Sequence, residues 1–360
     1  MSISRNTIFS GFITFAICAA SSAAYAQQNF DVIIMGDPQF FRTTKSGKFP
    51  NTHNTLSLQN NQSQVTAIRK YAAQNTDYLG TIINGDLTEY GQNGINSDQI
   101  AQFLIYYHNN QIPKNIWPGL GNHDYANNVY DTWENSGALR MVQFMTKDTI
   151  PRLQQSGQIV DADVRSKYVK YIIPSVIIEG SLSYSWDIGD DYRFIQLNNY
   201  PDYKRVFNGW YWGWDGNPLT RDITHRIISI ESSIDNGWLK GQLDKAVTDG
   251  KKVVLNMHHT HPKGNPNQEW NKLNTLMKNY TDIKAVFMGH IHERLGQCDM
   301  GYGTSIGNSV PVFYSGTPIY NSMLVAKFSA QNGMTVDLYS TKDATPTRLG
   351  TAINTCKKFP

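Results

Sequence analysis

The sequence predicts an α/β fold, and three observations support this prediction. Short apolar runs such as DVIIM, YLGTII and IKAVFM, bounded by Gly, Asn or Pro, are typical of buried strands. Segments with helical periodicity alternate with these runs along the chain. Several of the runs also end in polar residues, which is where open α/β sheets place their binding sites. We therefore expect a functional site at the ends of neighbouring strands.

In the first third of the chain, hydrophobic periodicity predicts the element order β-α-β-α-β. Strands are expected at 31–35, 78–84 and 115–120, with helices at 63–74 and 97–109 between them. Ser97 and Asp98 are good capping residues for the second helix. Residues 125–174 show no strong strand pattern. We expect an insertion there, with short helices around 129–146.

Strand and helix patterns resume at Ser183. The stretch YSWDIGDDYRFIQLNN alternates, which predicts two strands joined by a turn at Gly189-Asp190. Helices are predicted at 237–248 and 268–279, and strands at 252–256, at 283–288 and in VPVFYSG, MLVAKFSA and MTVDLYST. The last two strands meet at Asn332-Gly333, a strong hairpin signal. We predict one domain over residues 27–360, with insertions near 125–180 and 199–236.

Composition excludes some classes of protein. The 360 residues are 40% hydrophobic and 17% charged, which is too apolar for a disordered chain. The net charge is only +3, and no run of Lys or Arg stands out. A nucleic-acid or anionic-membrane partner held by charge alone is therefore unsupported.

Residues 1–26 have the features of a signal peptide. Arg5 precedes the apolar stretch IFSGFITFAICAA, and Ala24-Tyr25-Ala26 forms a cleavage signal. The alternative is a membrane anchor, but the stretch is short for a span, and no later segment is long and apolar enough. We expect a secreted or periplasmic protein. In an oxidising compartment Cys298 and Cys356 are expected to form a disulfide, the alternative being two unpaired thiols.

Five polar blocks follow apolar runs and contain the candidate metal ligands. They are Asp37-Pro38-Gln39, Gly85-Asp86, Gly121-Asn122-His123-Asp124, Met257-His258-His259 and Gly289-His290-Ile291-His292. Each block alone is typical of a turn. Together they offer the carboxylates of Asp37 and Asp86, the amide oxygens of Gln39 and Asn122, and the imidazoles of His258, His290 and His292. Such a set suits two divalent cations.

The order of these blocks resembles the pattern D-x-H, GD, GNH[DE], His and GHxH of the calcineurin-like metallophosphoesterases. The resemblance implies a four-layer α/β/β/α sandwich of two mixed sheets flanked by helices, with the metal ligands on loops at strand ends. It implies that Asp86 bridges two cations. One cation would also bind Asp37 and His292, and the other Asn122, His258 and His290.

The activity implied by the resemblance is hydrolysis of a phosphoester, either a monoester or a diester. A hydroxide held between two divalent cations (Mn, Fe, Zn, Mg or Ca) would attack phosphorus in line. His123 would protonate the leaving oxygen, with Asp124 as the adjacent acid. The alternative role of Asp124 is to cap the following turn. The substrate would be a phosphoester, with a lipid or a nucleotide as candidates.

Gln39 departs from the family pattern, which has a histidine at this position. An amide oxygen is a harder and usually weaker ligand than an imidazole. We therefore predict a looser first site that favours Mn²⁺, Mg²⁺ or Ca²⁺ over Zn²⁺. The alternative is that the Gln39 side chain points away and water takes its place.

An aromatic segment, NGWYWGWDGNP, is predicted to form a loop. Its residues Trp210, Tyr211, Trp212 and Trp214, together with His259, are candidates for substrate binding. The alternative is a packed loop that covers a sheet edge. If the rings bind substrate, they favour a phospholipase-type or sphingomyelinase-type diesterase. A second alternative is a non-catalytic metal- or ligand-binding protein on the same fold, suggested by Gln39 and by the lack of an obvious phosphate-binding arginine.

Overall fold

The structure is a computed structural model that describes residues 29–40, 53–91, 98–108, 111–130, 135–170, 175–213, 222–259, 266–299, 303–329 and 332–359. The predicted signal peptide lies outside these ranges. Within them the chain is a mixed α/β fold of three sheets with helices packed against them. The predicted fold class is confirmed, and the third sheet was not predicted.

The first sheet has six strands in the order β18-β17-β16-β1-β2-β3. They are β1 Phe30–Met35, β2 Tyr78–Ile83, β3 Asn115–Pro118, β16 Ser322–Ser329, β17 Gly333–Ser340 and β18 Thr347–Thr351. Strands β1, β2 and β3 are parallel, so their carboxyl ends meet at one edge. The antiparallel pair β16 and β17 is the hairpin predicted at Asn332-Gly333.

The second sheet has nine strands, of which eight follow the order β19-β13-β15-β12-β11-β8-β7-β4 and β14 pairs with β15. They are β4 Asp161–Ala162, β7 Tyr184–Ile188, β8 Tyr192–Gln196, β11 Lys252–Met257, β12 Ile283–Met288, β13 Arg294–Gly296, β14 Ser305–Ile306, β15 Val310–Ser315 and β19 Cys356–Lys358. Strands β8, β11, β12 and β15 are parallel. Strands β7 and β8 form the hairpin predicted at Gly189-Asp190.

A third sheet of four strands is built from the two segments predicted as insertions. Its order is β5-β6-β10-β9, with β5 Arg165–Val169, β6 Ser175–Gly180, β9 Arg205–Gly213 and β10 Asp222–Ile230. Two expectations are therefore corrected. Residues 125–174 contain β5, whose residues are mostly exposed and so lack an apolar run. The aromatic segment predicted as a loop is in part the end of β9, because Trp and Tyr fit a pleated strand.

Six α-helices accompany the sheets in the described ranges. They are α1 His53–Gln74, α2 Gln99–Phe103, α3 Ser136–Gln143, α4 Ile150–Gln155, α5 Trp238–Thr248 and α6 Pro266–Met277. The helix predicted at 97–109 is shorter than expected and continues as a π-helical turn, Leu104–His108. Helix α3 also continues as a π-helical turn, Phe144–Thr149. None of the described helices has both the length and the apolar character needed to cross a membrane.

Alternate residues of β11 pack on opposite sides of the second sheet. Val254 belongs to the core between the first and second sheets, and Leu255 belongs to the cluster that contains residues of α5 and α6. Aromatic rings from the first and second sheets stack on each other: the ring centroids of Trp117 on β3 and Trp186 on β7 are 5.1 Å apart. Helices therefore cover the outer face of the second sheet, as the sandwich requires.

Cys298 and Cys356 form a disulfide that closes a separation of 58 residues. Cys356 is the first residue of β19, which pairs with β13. Strand β13 begins two residues after His292. The disulfide thus fixes the C-terminal segment beside the last of the five polar blocks.

Candidate metal centre

The five polar blocks meet at one edge of the two large sheets. Strands β1, β2 and β3 lead to three blocks, and the adjacent strands β11 and β12 lead to the other two. Asp37 and Asp86 follow their strands with φ angles of 54° and 50°, a left-handed conformation that is uncommon for non-glycine residues. Beyond them the two segments continue side by side, with a parallel bridge between Phe40 and Thr88.

Two groups of ligand atoms share one carboxylate. The first consists of Asp37, Asp86 and His292, and the second of Asp86, His258 and His290. Within each group the ligand atoms lie within 4.8 Å of one another. The predicted bridging residue, Asp86, is the member common to both groups.

Asn122 and Gln39 are the two remaining predicted ligands. Asn122 Oδ1 lies 2.9 Å from His258 Nε2, which places it in the second group. Gln39 is buried, and its backbone N–H donates to the Asp86 carbonyl at 2.8 Å. Neither side-chain amide atom of Gln39 has a hydrogen-bond partner among the described residues. A buried amide without a partner is unfavourable, and a bound cation would satisfy its oxygen.

Glycines allow the blocks to approach one another closely. Gly85 has a φ angle of +78°, and a Cβ atom there would lie 2.7 Å from His258 Nδ1. A Cβ atom on Gly121 would overlap with Asp86 Oδ1. These residues therefore permit the spacing of the ligands, whereas a larger side chain would displace them.

The ligand imidazoles are oriented by neighbouring groups. His258 Nδ1 lies 2.8 Å from the Asn84 carbonyl oxygen, which leaves Nε2 facing Asp86 Oδ2 at 3.2 Å. Burial lowers the pKa of His258, but the nearby Asp86 carboxylate outweighs it and raises the pKa to about 9. Burial lowers the pKa of His290 to about 4, which leaves this imidazole neutral. A cation at the centre would take the place of the His258 proton.

Asp124 has no direct contact with the His123 imidazole in the described structure. Its buried carboxylate accepts hydrogen bonds from the backbone N–H groups of Leu87, Thr88 and Gly121, at 3.0, 2.9 and 2.8 Å. Burial raises its pKa to about 7, with a contribution from the Asp86 charge. Asp124 thus joins the loops after β2 and β3, a structural role that differs from the predicted cap of the following turn.

Glu89 is the carboxylate beside His123, and sequence reasoning missed it. Its Oε1 atom lies 3.5 Å from His123 Nδ1, and its backbone oxygen lies 3.3 Å from the same atom. The His123 backbone N–H donates to Asp86 Oδ1 at 2.8 Å. The only signal in the sequence is that Glu89 follows Asp86 by three positions in the same loop.

The predicted substrate-binding residues have different surroundings. The His259 ring is 4.7 Å from the ring of His290 and 4.9 Å from that of Tyr200, so it adjoins the second ligand group. The Trp210 ring packs at 5.3 Å against His225 of the third sheet. Tyr211 and Trp212 lie in β9, and Trp214 is outside the described residues.

The chain matches the family model of the calcineurin-like phosphoesterases over residues 30–294. This match covers most of the chain, and the protein therefore belongs to the calcineurin-like phosphoesterase family. The resemblance read from the five blocks is confirmed.

The chain is also similar to solved structures. A dimetal phosphatase from Danio rerio superposes with a TM-score of 0.51 at 12% identity, over 89% of this chain and 98% of that one. A 5'-nucleotidase from Candida albicans gives a TM-score of 0.45 at 15% identity, over 88% of this chain and 52% of that one. At 12% identity the likeness to the dimetal phosphatase concerns the fold alone. No curated protein matches the sequence.

Proposed function

We propose that the protein is a phosphoester hydrolase that depends on two divalent cations. The observation that supports this most directly is the position of Asp86, whose carboxylate belongs to both groups of ligand atoms. A shared carboxylate is what holds two cations at the short separation required for joint action on one phosphoryl group. Membership of the family makes the same chemistry the expected one.

The residues present fit the cations. Asp37, Gln39, Asp86 and His292 would hold the first cation, and Asp86, Asn122, His258 and His290 the second. When bound, the cations supply Lewis acidity toward the phosphoryl oxygens and lower the pKa of water. The first set has three oxygen donors and one nitrogen, so we propose that it favours Mn²⁺, Mg²⁺ or Ca²⁺ over Zn²⁺.

His123 is proposed to protonate the leaving oxygen. Its backbone is fixed by the hydrogen bond to Asp86, and its Nδ1 atom faces Glu89. A carboxylate at Nδ1 stabilises the protonated ring and leaves Nε2 to donate. We expect this step to contribute about 10²–10⁴-fold to the rate. Glu89 acts as a positioning residue, because it contacts the imidazole rather than the reacting atoms.

The test uses metal-stripped protein with p-nitrophenyl phosphate and bis-p-nitrophenyl phosphate. Hydrolysis is measured after addition of Mn²⁺, Zn²⁺, Mg²⁺ or Ca²⁺, for the natural chain and for Asp86→Asn. The control is Asp282→Asn, because Asp282 is a surface residue paired with Lys284. We expect activity to return with metal in the natural chain and the control, and to fall by about 10³-fold or more in Asp86→Asn.

The same experiment separates the alternatives. The ratio of the two rates distinguishes a monoesterase from a diesterase. Cation binding without hydrolysis of either compound would overturn the proposal and favour the binding-protein alternative, unless sphingomyelin or phosphatidylcholine vesicles are hydrolysed. That last result would establish the lipid diesterase.

We also propose that the protein is exported. The support is the Cys298–Cys356 disulfide, a bond that persists mainly in oxidising compartments, together with the signal-like sequence of residues 1–26. Cell fractionation and N-terminal sequencing test this proposal. The expected product begins at Gln27 outside the cytoplasm, and an unprocessed cytoplasmic chain would contradict it.

A further inference from the structure

A cavity of about 720 Å³ lies at the third sheet and is separate from the metal ligands. Its wall includes Lys204, Arg205 and Val206 at the start of β9, and Ile230 and Glu231 at the end of β10. Tyr130, from the loop after β3, also lines it. A volume of this size is typical of sites for small organic ligands.

Tyr130 is held in a conformation that is unfavourable for a bulky residue. Its φ angle is 71°, and 72% of its surface is exposed. The Asn135 side chain fixes it by accepting the Tyr130 backbone N–H at 2.7 Å. Asn135 in turn donates to the Asn208 carbonyl on β9 at 2.6 Å. Backbone strain imposed in this way is concentrated at functional sites such as ligand clamps.

Arg205 supplies an unpaired positive charge beside this ring. Its guanidinium carbon lies 5.2 Å from the centre of the Tyr130 ring, within the range of a cation–π contact. No carboxylate in the described part of the chain forms an ion pair with it.

The carboxylates of the cavity wall are already paired. Glu231 binds Arg165, and Asp235 binds both Lys204 and Lys272. The cation left to attract a ligand is therefore Arg205, and the complementary ligand charge is negative.

Two chain segments connect the metal centre to the cavity. The Asn199 carbonyl accepts the backbone N–H groups of His258 and His259, and the same segment reaches the cavity wall at Lys204. The Asn128 side chain donates to the His123 carbonyl at 2.6 Å, two residues before Tyr130. The segments that form the cavity wall are therefore linked by hydrogen bonds to the loops that carry the candidate ligands.

We propose that this cavity binds an aromatic anion, with its ring against Tyr130 and its charged group on Arg205. The edge of the guanidinium can donate to a phosphonate, phosphate or carboxylate while its face stays over the tyrosine ring. Val206, which is 61% exposed, supplies apolar surface for the ligand ring. The site uses none of the proposed metal ligands, so its occupation does not require hydrolysis.

The probe is phenylphosphonate, which carries a ring and an anionic group and has no ester bond to hydrolyse. Isothermal titration calorimetry is performed on metal-stripped full-length protein, so that cations at the metal centre do not contribute. Methylphosphonate tests the anion alone, and benzyl alcohol tests the ring alone. We expect phenylphosphonate to bind at least about tenfold more tightly than either.

Substitutions of the proposed contact residues test where phenylphosphonate binds. Arg205→Gln and Tyr130→Ala are each expected to weaken it by about fivefold or more, and Arg205→Lys by less than Arg205→Gln. Tyr168→Ala is the matched control, because Tyr168 is 63% exposed on β5 of the same sheet and does not line the cavity. The control should bind as the natural chain does. No binding at millimolar probe, or equal binding by Arg205→Gln, Tyr130→Ala and the natural chain, would overturn the proposal. These titrations measure binding only, so their outcome does not depend on whether the protein hydrolyses phosphoesters.

Discussion

The buried side chain of Asn61 donates a hydrogen bond to the carbonyl oxygen of Pro38 at 2.9 Å. Pro38 lies between Asp37 and Gln39, both of which have positive φ angles. The Tyr107 hydroxyl donates to Asn61 Oδ1 at 2.7 Å and so fixes the orientation of the amide. Helix α1 and the π-helical turn after α2 therefore hold the strained turn that carries the first candidate ligands.

Removal of the Tyr107 hydroxyl should weaken cation binding at the first site. Tyr107→Phe is expected to reduce the affinity for Mn²⁺ by a few-fold and the free energy of unfolding by about 1 kcal/mol, because Asn61 loses a buried partner. The control is Tyr78→Phe, which removes a buried hydroxyl 2.8 Å from Thr81 Oγ1. It should lower stability without changing Mn²⁺ affinity. Equal losses of affinity in both variants would contradict the account.

Gln39→His should change the metal preference of the protein. An imidazole is a softer and stronger ligand than an amide oxygen, so Zn²⁺ affinity at the first site is expected to rise by about tenfold relative to Mn²⁺. Competition titrations of the two cations measure this ratio. Gln39→Ala should weaken the binding of both Zn²⁺ and Mn²⁺. A ratio that stays constant in Gln39→His would show that position 39 does not contact the cation.

Glu89→Gln should lower kcat while leaving KM nearly unchanged. Its carboxylate lies beside His123, so its loss impairs protonation of the leaving group. We expect a decrease of about 10–100-fold for an alkyl phosphate and a smaller one for p-nitrophenyl phosphate, whose leaving group needs little protonation. The control is Glu179→Gln, which removes a surface ion pair with Lys167. A decrease independent of the leaving group would exclude this role.

Asp337 should make the stability of the first sheet dependent on pH. Burial raises its pKa, but hydrogen bonds from Arg348 and Lys327 outweigh burial and hold the pKa below its ordinary value. A lowered pKa stabilises the fold above the unfolded value of about 3.9, and the stabilisation is lost as pH falls through the lowered pKa.

Asp337→Asn tests this dependence by urea unfolding. We expect the variant to be less stable by about 1 kcal/mol at neutral pH. The loss is small because the Lys327 and Arg348 side chains are partly exposed, so that solvent screens their charges. The difference from the natural chain should shrink as the pH falls below the unfolded pKa of about 3.9 and through the lowered pKa of the folded state. A difference that is constant with pH would show that packing, rather than charge, is responsible.

The convergence of the candidate ligands was predictable because these residues follow buried parallel strands. Asp86 and His290 stand directly after the apolar runs of β2 and β12, so their convergence follows from strand direction. The family pattern added the division of ligands between two cations. These features depend on local sequence and on a simple rule of sheet geometry.

The remaining features depend on contacts that the sequence does not display. Strand β5 is exposed, so hydrophobic periodicity does not mark it. Asp124 is adjacent to His123 in the sequence, whereas Glu89 precedes it by 34 positions, and only the fold brings the Glu89 carboxylate to the imidazole. The positive φ of Tyr130 depends on Asn135 and on its anchor to β9.

The most direct test of the central claim is the number and coupling of Mn²⁺ ions, measured by titration and electron paramagnetic resonance. Since Asp86 belongs to both ligand groups, the natural chain should bind two Mn²⁺ ions with a spin-coupled spectrum. Asp86→Asn should lose the coupling together with phosphoester hydrolysis. A single Mn²⁺ per chain, or a spectrum of uncoupled ions that is the same in both proteins, would contradict a centre bridged by Asp86.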